Sequence, residues 1–422
     1  MVEFKKYILD NGLRVIVHKD TSTPMAVFNL LYDVGARDEA PERTGLAHLF
    51  EHLMFEGSVN IPAFDTPLEL AGGESNAFTT NDMTSYHCTL PAVNLETAFW
   101  LESDRMLGLA FSDEKLRIQK NVVTEEYRQS YLNQPYGDTM MLLRTLAYKV
   151  HPYQWSTIGK HIDHVNNTTL DEVKAFFFRH YRPDNAILSV AGPVEPEDIF
   201  LLAEKWFGSI PPGSAITRSL PEEPAQTMQR RLVAKRDVPA SQVFITFHTC
   251  TRASDDFFAT DLLSDILANG DSSRLKERLV KGKKLFSEVN AYLSGSLDTG
   301  LFIVTGKPHP GVTVEEAEQA LWAELDDLRY TEVPDLELQK VKNKMEASHT
   351  FSESNLMARA MNLAYYELLG SADLLNVQIE NYSRQSASDL RLMALKLFNK
   401  DRSSVMHYLA VEPNDHLSNI GM

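Results

Sequence analysis

The chain has 422 residues, of which 43% are hydrophobic and 23% charged, and this composition excludes a disordered or collagen-like protein. The length predicts two or three globular domains. The 41 basic and 58 acidic residues give a net charge of −17, which argues against nucleic-acid binding and is typical of a well-solvated surface, or of a cavity that attracts basic substrates. The two cysteines, Cys88 and Cys250, lie outside any CxxC pattern and predict neither a disulfide framework nor a thiolate zinc site.

The predicted elements of the first half mix strands and helices without a regular repeat. Residues 6–9 and 13–18 are a predicted hairpin around an Asn11-Gly12 turn of type I′, and residues 25–34, 84–90 and 186–191 are further strands. Apolar residues at helical spacing predict helices over 46–55, 97–109, 113–131, 169–180 and 196–207.

A proline-rich stretch, residues 208–230, interrupts this pattern. After it, strands are predicted over 241–249, 289–294, 300–305 and 404–411, and helices over 257–267, 272–281, 314–330, 333–348, 356–369 and 387–398. The two halves have similar size and element order. We therefore predict an α+β fold of two related domains, 1–210 and 231–422, joined by a linker over 211–230.

No apolar run is long enough to cross a membrane, so we expect no membrane partner. The N-terminus lacks the pattern of a signal peptide. The expected location is therefore cytoplasmic, or periplasmic if a signal peptide has been removed.

The helix predicted over 46–55 carries the most informative residues. Its apolar positions form one stripe, while His48, Glu51 and His52 stand at i, i+3 and i+4 on the opposite side. Two imidazoles four residues apart can bind one Zn²⁺ ion, and the pattern is the H-x-x-E-H signature of a class of zinc peptidases. Glu51, which would not bind the metal, is the predicted general base.

A catalytic zinc site needs a third protein ligand. Glu125 and Glu126 are both candidates, on the helix predicted over 113–131. Neighbouring helix residues point about 100° apart, so only one of the two glutamates can face the metal. Spacing alone leaves that choice open.

Several motifs together resemble the family of pitrilysin, insulin-degrading enzyme and the mitochondrial processing peptidase, in its small two-domain bacterial form. These motifs are Gly35-Ala-Arg-Asp-Glu39, Thr44 to Gly57, Gly72-Gly-Glu-Ser-Asn-Ala-Phe-Thr79, Leu101-Glu-Ser-Asp-Arg-Met106, Val122-Val-Thr-Glu-Glu126 and Asp271-Ser-Ser-Arg-Leu275. The resemblance spans nearly the whole chain. It implies two related domains, each a mostly antiparallel sheet packed with helices.

The resemblance also implies an activity and its residues. It implies a zinc-dependent metalloendopeptidase that hydrolyses peptides or unfolded segments, with His48, His52 and Glu126 as zinc ligands and Glu51 as general base. Asn76, Ala77 and Phe78 match a strand edge that pairs with the substrate backbone. Arg274, in the C-terminal domain, matches an arginine that grips the substrate. The resemblance implies that this domain also forms the dimer.

Two departures from the family pattern bear on activity. Gln119 stands where the family often has a glutamate behind the metal ligands, and Phe286 stands where a substrate-gripping tyrosine is expected. We therefore predict either a heterodimer, in which this chain carries the metal and a related subunit supplies the Arg/Tyr pair, or a homodimer in which Tyr292 or another residue substitutes. The alternative class is a non-catalytic assembly or binding subunit of the same fold, although such relatives commonly lose the metal motif.

Overall fold

The computed structural model describes residues 1–214 and 216–411. They form two compact units, each assembled from separate stretches of the chain. Of the described residues, the first unit comprises 1–128, 155–214, 216–220 and 348–378, and the second comprises 129–154, 221–347 and 379–411. The main boundary, between Leu220 and Pro221, lies inside the linker predicted over 211–230. The sequence predicts two continuous domains, 1–210 and 231–422. In the structure, by contrast, residues 129–154 belong to the second unit and residues 348–378 to the first.

The first unit contains a six-stranded sheet in the order β1-β2-β6-β3-β5-β4. Its strands are β1 (Lys5–Ile8), β2 (Arg14–Lys19), β3 (Met25–Tyr32), β4 (Glu74–Thr79), β5 (Thr84–Pro91) and β6 (Ala186–Gly192). All neighbours are antiparallel except β2 and β6. Strand β4 is an edge strand, so one side of its backbone has no strand partner within this sheet.

The second unit contains a five-stranded sheet in the order β7-β11-β8-β10-β9. Its strands are β7 (Arg230–Arg236), β8 (Gln242–His248), β9 (Phe286–Leu293), β10 (Leu301–Pro308) and β11 (Ser403–Ala410). Its neighbours are antiparallel except β7 and β11. This order and these directions repeat β2-β6-β3-β5-β4 of the first sheet, which confirms the predicted α+β fold with two related, mostly antiparallel sheets.

Fourteen α-helices are described. They are α1 (Leu46–Leu53), α2 (Asp65–Leu70), α3 (Glu96–Leu107), α4 (Asp113–Tyr127), α5 (Thr139–Ala147), α6 (Ile162–Asn166), α7 (Leu170–His180), α8 (Pro196–Phe207), α9 (Asp256–Ala268), α10 (Val314–Tyr330), α11 (Asp335–Ser352), α12 (Leu356–Leu368), α13 (Leu374–Arg384) and α14 (Ala387–Leu397). Arg128–Leu132 and Lys276–Gly282 are π-helical. Within the described chain, no helix combines the length and the apolar character that a bilayer crossing requires.

Each sheet is covered by a helix from the other half of the sequence. In the first unit, Leu363 and Ala364 of α12 pack against Ile16, Leu31 and Ile187 of the sheet. In the second unit, α5 contributes to an apolar cluster with the sheet; its members are Leu143, Ala147, Tyr148, Tyr153, Ala234, Phe244, Leu301, Ile303, Met406 and Tyr408. Burial of these side chains stabilises the exchange of segments.

Some local expectations need correction. Gly12 has φ +88°, whereas Asn11 does not have a positive φ, so the first hairpin does not turn through the predicted type I′ geometry. The first part of the predicted linker is anchored to the first unit: Arg218 donates hydrogen bonds to Asp38 Oδ1 at 2.7 Å and to the Asp33 carbonyl at 2.9 Å. Its last residue, Arg230, already belongs to strand β7.

Candidate metal centre

The short helix α1 begins at a buried carboxylate. Gly45, its N-cap, has φ +88° and makes no side-chain capping bond. Glu39 fills that role from outside the helix, because its carboxylate accepts hydrogen bonds from the Gly45 N–H at 2.9 Å and the Ala47 N–H at 2.8 Å. An oxygen acceptor at this position satisfies N–H donors that have no partner within the helix. Glu39 therefore fixes where the helix starts.

The two faces of α1 separate the core from the site. Leu46, Ala47, Leu49, Phe50 and Leu53 are buried. The His48 and His52 side chains keep 13% and 26% of their surface exposed. Their rings lie 4.9 Å apart, centre to centre, at an interplanar angle of 89°. The helical spacing that predicts a metal pair thus places both imidazoles side by side.

Helix α4 brings Glu126 to these imidazoles. Glu126 Oε2 lies 3.6 Å from His48 Nε2 and 3.5 Å from His52 Nε2. The three ligand atoms all lie within 4.8 Å of one another. Ligand atoms at zinc bond lengths in a tetrahedron are about 3.4 Å apart, so these residues fit Zn²⁺ with little movement. Glu125 is directed elsewhere: 58% of its side chain is exposed and it forms an ion pair with Arg128.

The protonation states favour a cation. Burial lowers the pKa of His48 to about 4, so its imidazole is neutral near pH 7. A hydrogen bond with His52 lowers the pKa of Glu126, which is therefore a carboxylate. Metal ligands must be deprotonated, and both groups are.

Glu51 lies on the same helix but differs in environment. Burial raises the pKa of its carboxyl group, and a hydrogen bond from Thr79 opposes that rise. Thr79 Oγ1 donates to Glu51 Oε2 at 2.5 Å. A carboxylate with a raised pKa is a better proton acceptor at neutral pH than an exposed one. The environment of Glu51 is thus suited to a general base.

Comparison with known proteins identifies the family. Residues 14–160 match the family model described as insulinase, peptidase family M16, and residues 167–345 match the model described as peptidase M16 inactive domain. The chain is 32% identical over 345 residues to the zinc protease PqqE of Helicobacter pylori, covering 80% of this chain and 78% of that protein. The chain belongs to the M16 peptidase family.

Other M16 relatives agree with this assignment. The chain is 25% identical over 401 residues to the zinc protease YmxG of Bacillus subtilis, covering 94% of this chain and 96% of that protein. The crystal structure of a protease from Helicobacter pylori matches with a TM-score of 0.90 and 28% identity, covering 97% of this chain and all of that one. Pitrilysin shares the fold, with a TM-score of 0.78 and 16% identity, and this chain covers 45% of the pitrilysin chain.

The predicted substrate segment lies on the edge strand of the first sheet. Asn76, Ala77 and Phe78 belong to β4, whose inner side pairs with β5 in the register Asn76↔His87, Ala77↔Tyr86 and Phe78↔Ser85. The outer side of β4 has no partner strand within the sheet. An edge of this kind can accept an extended peptide as an additional strand. The role of these residues in substrate binding stays a prediction.

Arg274 lies in the second unit within a cluster of charges. Only 5% of its side chain is exposed. Its Nε donates to Glu337 Oε1 at 3.0 Å, Nη2 donates to Glu337 Oε2 at 2.9 Å, and Nη1 donates to Asp327 Oδ2 at 3.2 Å. The predicted contact with substrate would require the guanidinium to leave these carboxylates. Its role in binding stays a prediction.

The two departures from the family pattern have clear structural settings. Gln119 Nε2 donates to Glu56 Oε1 at 2.5 Å, so a carboxylate from the segment after α1 lies beside the position where the family often has a glutamate. Phe286, at the start of β9, is fully buried, with its ring against Gly306. Tyr292 is 42% exposed, and its hydroxyl contacts Met140 Sδ at 3.8 Å.

The roles of two residues that shape the site are not predicted from the sequence. Glu39 stands in one of the family motifs, and no pattern in the sequence marks it as the group that caps α1. Thr79 closes the Gly72–Thr79 motif, and no local pattern predicts its contact with Glu51. The Glu39 contact spans only six residues, from Glu39 to Gly45, whereas the Thr79 contact joins residues 28 positions apart.

Proposed function

We propose that this chain is a zinc-dependent metalloendopeptidase that hydrolyses peptides or unfolded polypeptide segments. The observation that carries the proposal is the convergence of His48, His52 and Glu126 beside Glu51. It offers three metal-binding atoms and one carboxylate that is not needed as a ligand. Relatives that are named zinc proteases support the same function.

In this proposal, His48, His52 and Glu126 hold the zinc ion. Zinc, when bound, activates a water molecule and polarises the scissile carbonyl group. Glu51 accepts a proton from the attacking water and later delivers it to the leaving nitrogen. The outer edge of β4 binds the substrate in extended form through its backbone N–H and C=O groups.

We further propose that the chain works as a dimer and, more specifically, as the metal-bearing subunit of a heterodimer. Phe286 is buried and has no hydroxyl, and Arg274 is engaged by Glu337 and Asp327. Neither residue is presented for gripping a peptide, so a related subunit would supply the Arg/Tyr pair. A homodimer that uses Tyr292 is the second candidate, because that side chain is partly exposed.

The test compares the purified chain with its Glu51→Gln variant in cleaving a quenched, unfolded peptide with zinc present. We expect the variant to bind as much zinc as the wild type and to lose at least ~100-fold in turnover, the lower end of general-base contributions. Equal turnover by both proteins would contradict the mechanism.

A wild-type protein that binds zinc but cleaves nothing would refute a self-sufficient enzyme and favour the heterodimer. Turnover restored by a related subunit, and lost again with Glu51→Gln, would then locate the chemistry in this chain. A wild-type protein that binds no zinc would contradict the proposed function altogether.

A further inference from the structure

Thr79 connects the proposed substrate-binding strand, β4, with the proposed general base, Glu51, which belong to different motifs in the sequence. It is the last residue of β4, and its Oγ1 donates to Glu51 Oε2. A hydroxyl group has one proton to donate, and here that proton is committed to the carboxylate. The other carboxylate oxygen, Oε1, has no hydrogen-bond partner among the described residues. One oxygen of Glu51 is therefore fixed while the other is available.

The position of Thr79 is itself well determined. It pairs with Thr84 across the β4–β5 ladder, and the Thr84 hydroxyl, which donates to the Val34 carbonyl at 2.9 Å, lies 3.5 Å from Thr79 Oγ1. The turn that follows is closed by a hydrogen bond from the Thr80 N–H to the Met83 carbonyl at 2.8 Å. A hydroxyl held by a strand end and a closed turn is a rigid support for a functional side chain.

We propose that Thr79 is a positioning residue, which holds Glu51 Oε2 so that Oε1 is directed to the proton it must accept. This inference rests on the proposed function and adds a residue to it. Because Thr79 belongs to β4, the orientation of the base depends on the strand that is proposed to bind substrate. A peptide that pairs with the outer edge of β4 would thus dock against the same element that aims Glu51.

The decisive variants are Thr79→Val, which keeps the shape but removes the hydroxyl, and Thr79→Ser, which keeps the hydroxyl. Thr89→Val is the matched control, since Thr89 lies on neighbouring β5 and makes no side-chain hydrogen bond among the described residues. We expect kcat to fall by between ~10- and ~100-fold in Thr79→Val, with KM changing less than about twofold. Thr79→Ser should recover most of this loss, and Thr89→Val should match the wild type.

Zinc content and thermal unfolding of all three variants should equal those of the wild type. Thr79 is not a proposed metal ligand, and its side chain is not part of the buried core. A Thr79→Val enzyme with wild-type kcat, or a Thr79→Ser enzyme as slow as Thr79→Val, would overturn the proposal. Loss of zinc in Thr79→Val would also overturn it, since the residue would then support the metal site as a whole.

A crystal structure of each zinc-loaded variant keeps this test separate from the proposed function. If the wild type cleaves no peptide with or without a partner subunit, the proposed function fails, yet the structures still report on Thr79. A Glu51 carboxylate that rotates in Thr79→Val and stays in place in Thr79→Ser supports the positioning role. An unmoved carboxylate in Thr79→Val contradicts it.

Discussion

The two sheets share one strand order, but the connections that follow equivalent strands carry different chemistry. After β3, the chain forms α1, whose buried stripe leaves His48, Glu51 and His52 outside the core. After β8, the chain forms α9, in which nearly every residue is buried. A helix surrounded by core has no face on which to place ligands. The first connection can therefore build a site, whereas the second mainly stabilises its own unit.

The charged clusters of the two units also differ in whether their charges are balanced within the protein. Arg274, just after α9, is matched by Glu337 and Asp327, so its charge is balanced within the unit. In the first unit, a neutral His48 imidazole and the Glu126 carboxylate bring lone pairs together without supplying a positive charge. A group of donors that lacks a cation of its own is suited to bind one. The first cluster is therefore suited to bind an ion, whereas the second is complete by itself.

The largest expected effect comes from removing one proposed metal ligand from the first cluster, which consists of His48, His52 and Glu126. Glu126→Gln should weaken zinc binding by at least ~100-fold, since loss of a mere supporting contact already costs 10- to 100-fold, and peptide cleavage should disappear with the metal. Glu125→Gln is the matched control, because Glu125 points to Arg128. A competition titration with a chromophoric chelator measures both affinities. Weaker binding in Glu125→Gln, with Glu126→Gln unaffected, would reverse the ligand assignment.

A smaller effect is expected from opening the second cluster. Arg274→Ala should lower the free energy of unfolding by about 1–3 kcal/mol, because it leaves the partly buried Glu337 without its counter-ion and removes one of the two arginines that pair with Asp327. Lys281→Ala, which removes an exposed ion pair with Glu277 and a hydrogen bond to the Asp271 carbonyl, should destabilise the protein much less. Denaturant unfolding measures both values.

The same Arg274 variant tests the predicted grip on substrate. If the cluster is complete by itself, KM for a peptide substrate should stay at the wild-type value when the protein is assayed well below its unfolding temperature. A KM that rises several-fold, with zinc content unchanged, would instead show that Arg274 leaves its carboxylates to bind substrate.

The sequence predicted the elements that have clear periodicity and missed those whose stability comes from distant contacts. Most strands and long helices lie within a few residues of their predicted bounds. Helix α5 was missed because its short sequence is mainly apolar and carries no clear period, and β7 because its charged residues suit an edge strand better than a core strand. The exchange of segments between the units depends on packing that no local pattern encodes.

The residues of the site likewise divide into those that local spacing predicts and those that only the fold brings together. His48, Glu51 and His52 follow from spacing on one helix, because helical geometry fixes their common face. The choice of Glu126 over Glu125 required either the family resemblance or the orientation of α4. Thr79 contacts α1 from strand β4, and Glu39 caps α1 from the loop just before it, so their roles emerge only when the fold is known.

A further expected effect, visible only as a change of stability with pH, concerns how the two connections begin their helices. Helix α9 starts at a half-buried position, where the Asp256 N–H donates a hydrogen bond to the Ser254 hydroxyl, whereas α1 starts at the buried carboxyl group of Glu39. Burial raises the pKa of Glu39 to about 8, although hydrogen bonds from Ala47 and Gly45 oppose the rise. Because the folded state holds this proton more tightly than the unfolded chain, folding is favoured at low pH. This contribution is complete below the unfolded pKa of about 4.5 and is lost as pH rises through about 8.

Glu39→Gln removes this titration and should therefore flatten the dependence of stability on pH. The wild type should lose stability relative to the variant between pH 5 and 8, with a limiting slope of about 1.4 kcal/mol per pH unit. Denaturant unfolding of both metal-free proteins across that range provides the measurement. Parallel curves would mean that Glu39 has the same charge in both states, and its carboxylate would then cap α1 as a permanent anion. A slope confined to the wild type would show that the helix bearing His48 and His52 begins at a group that changes charge near neutral pH.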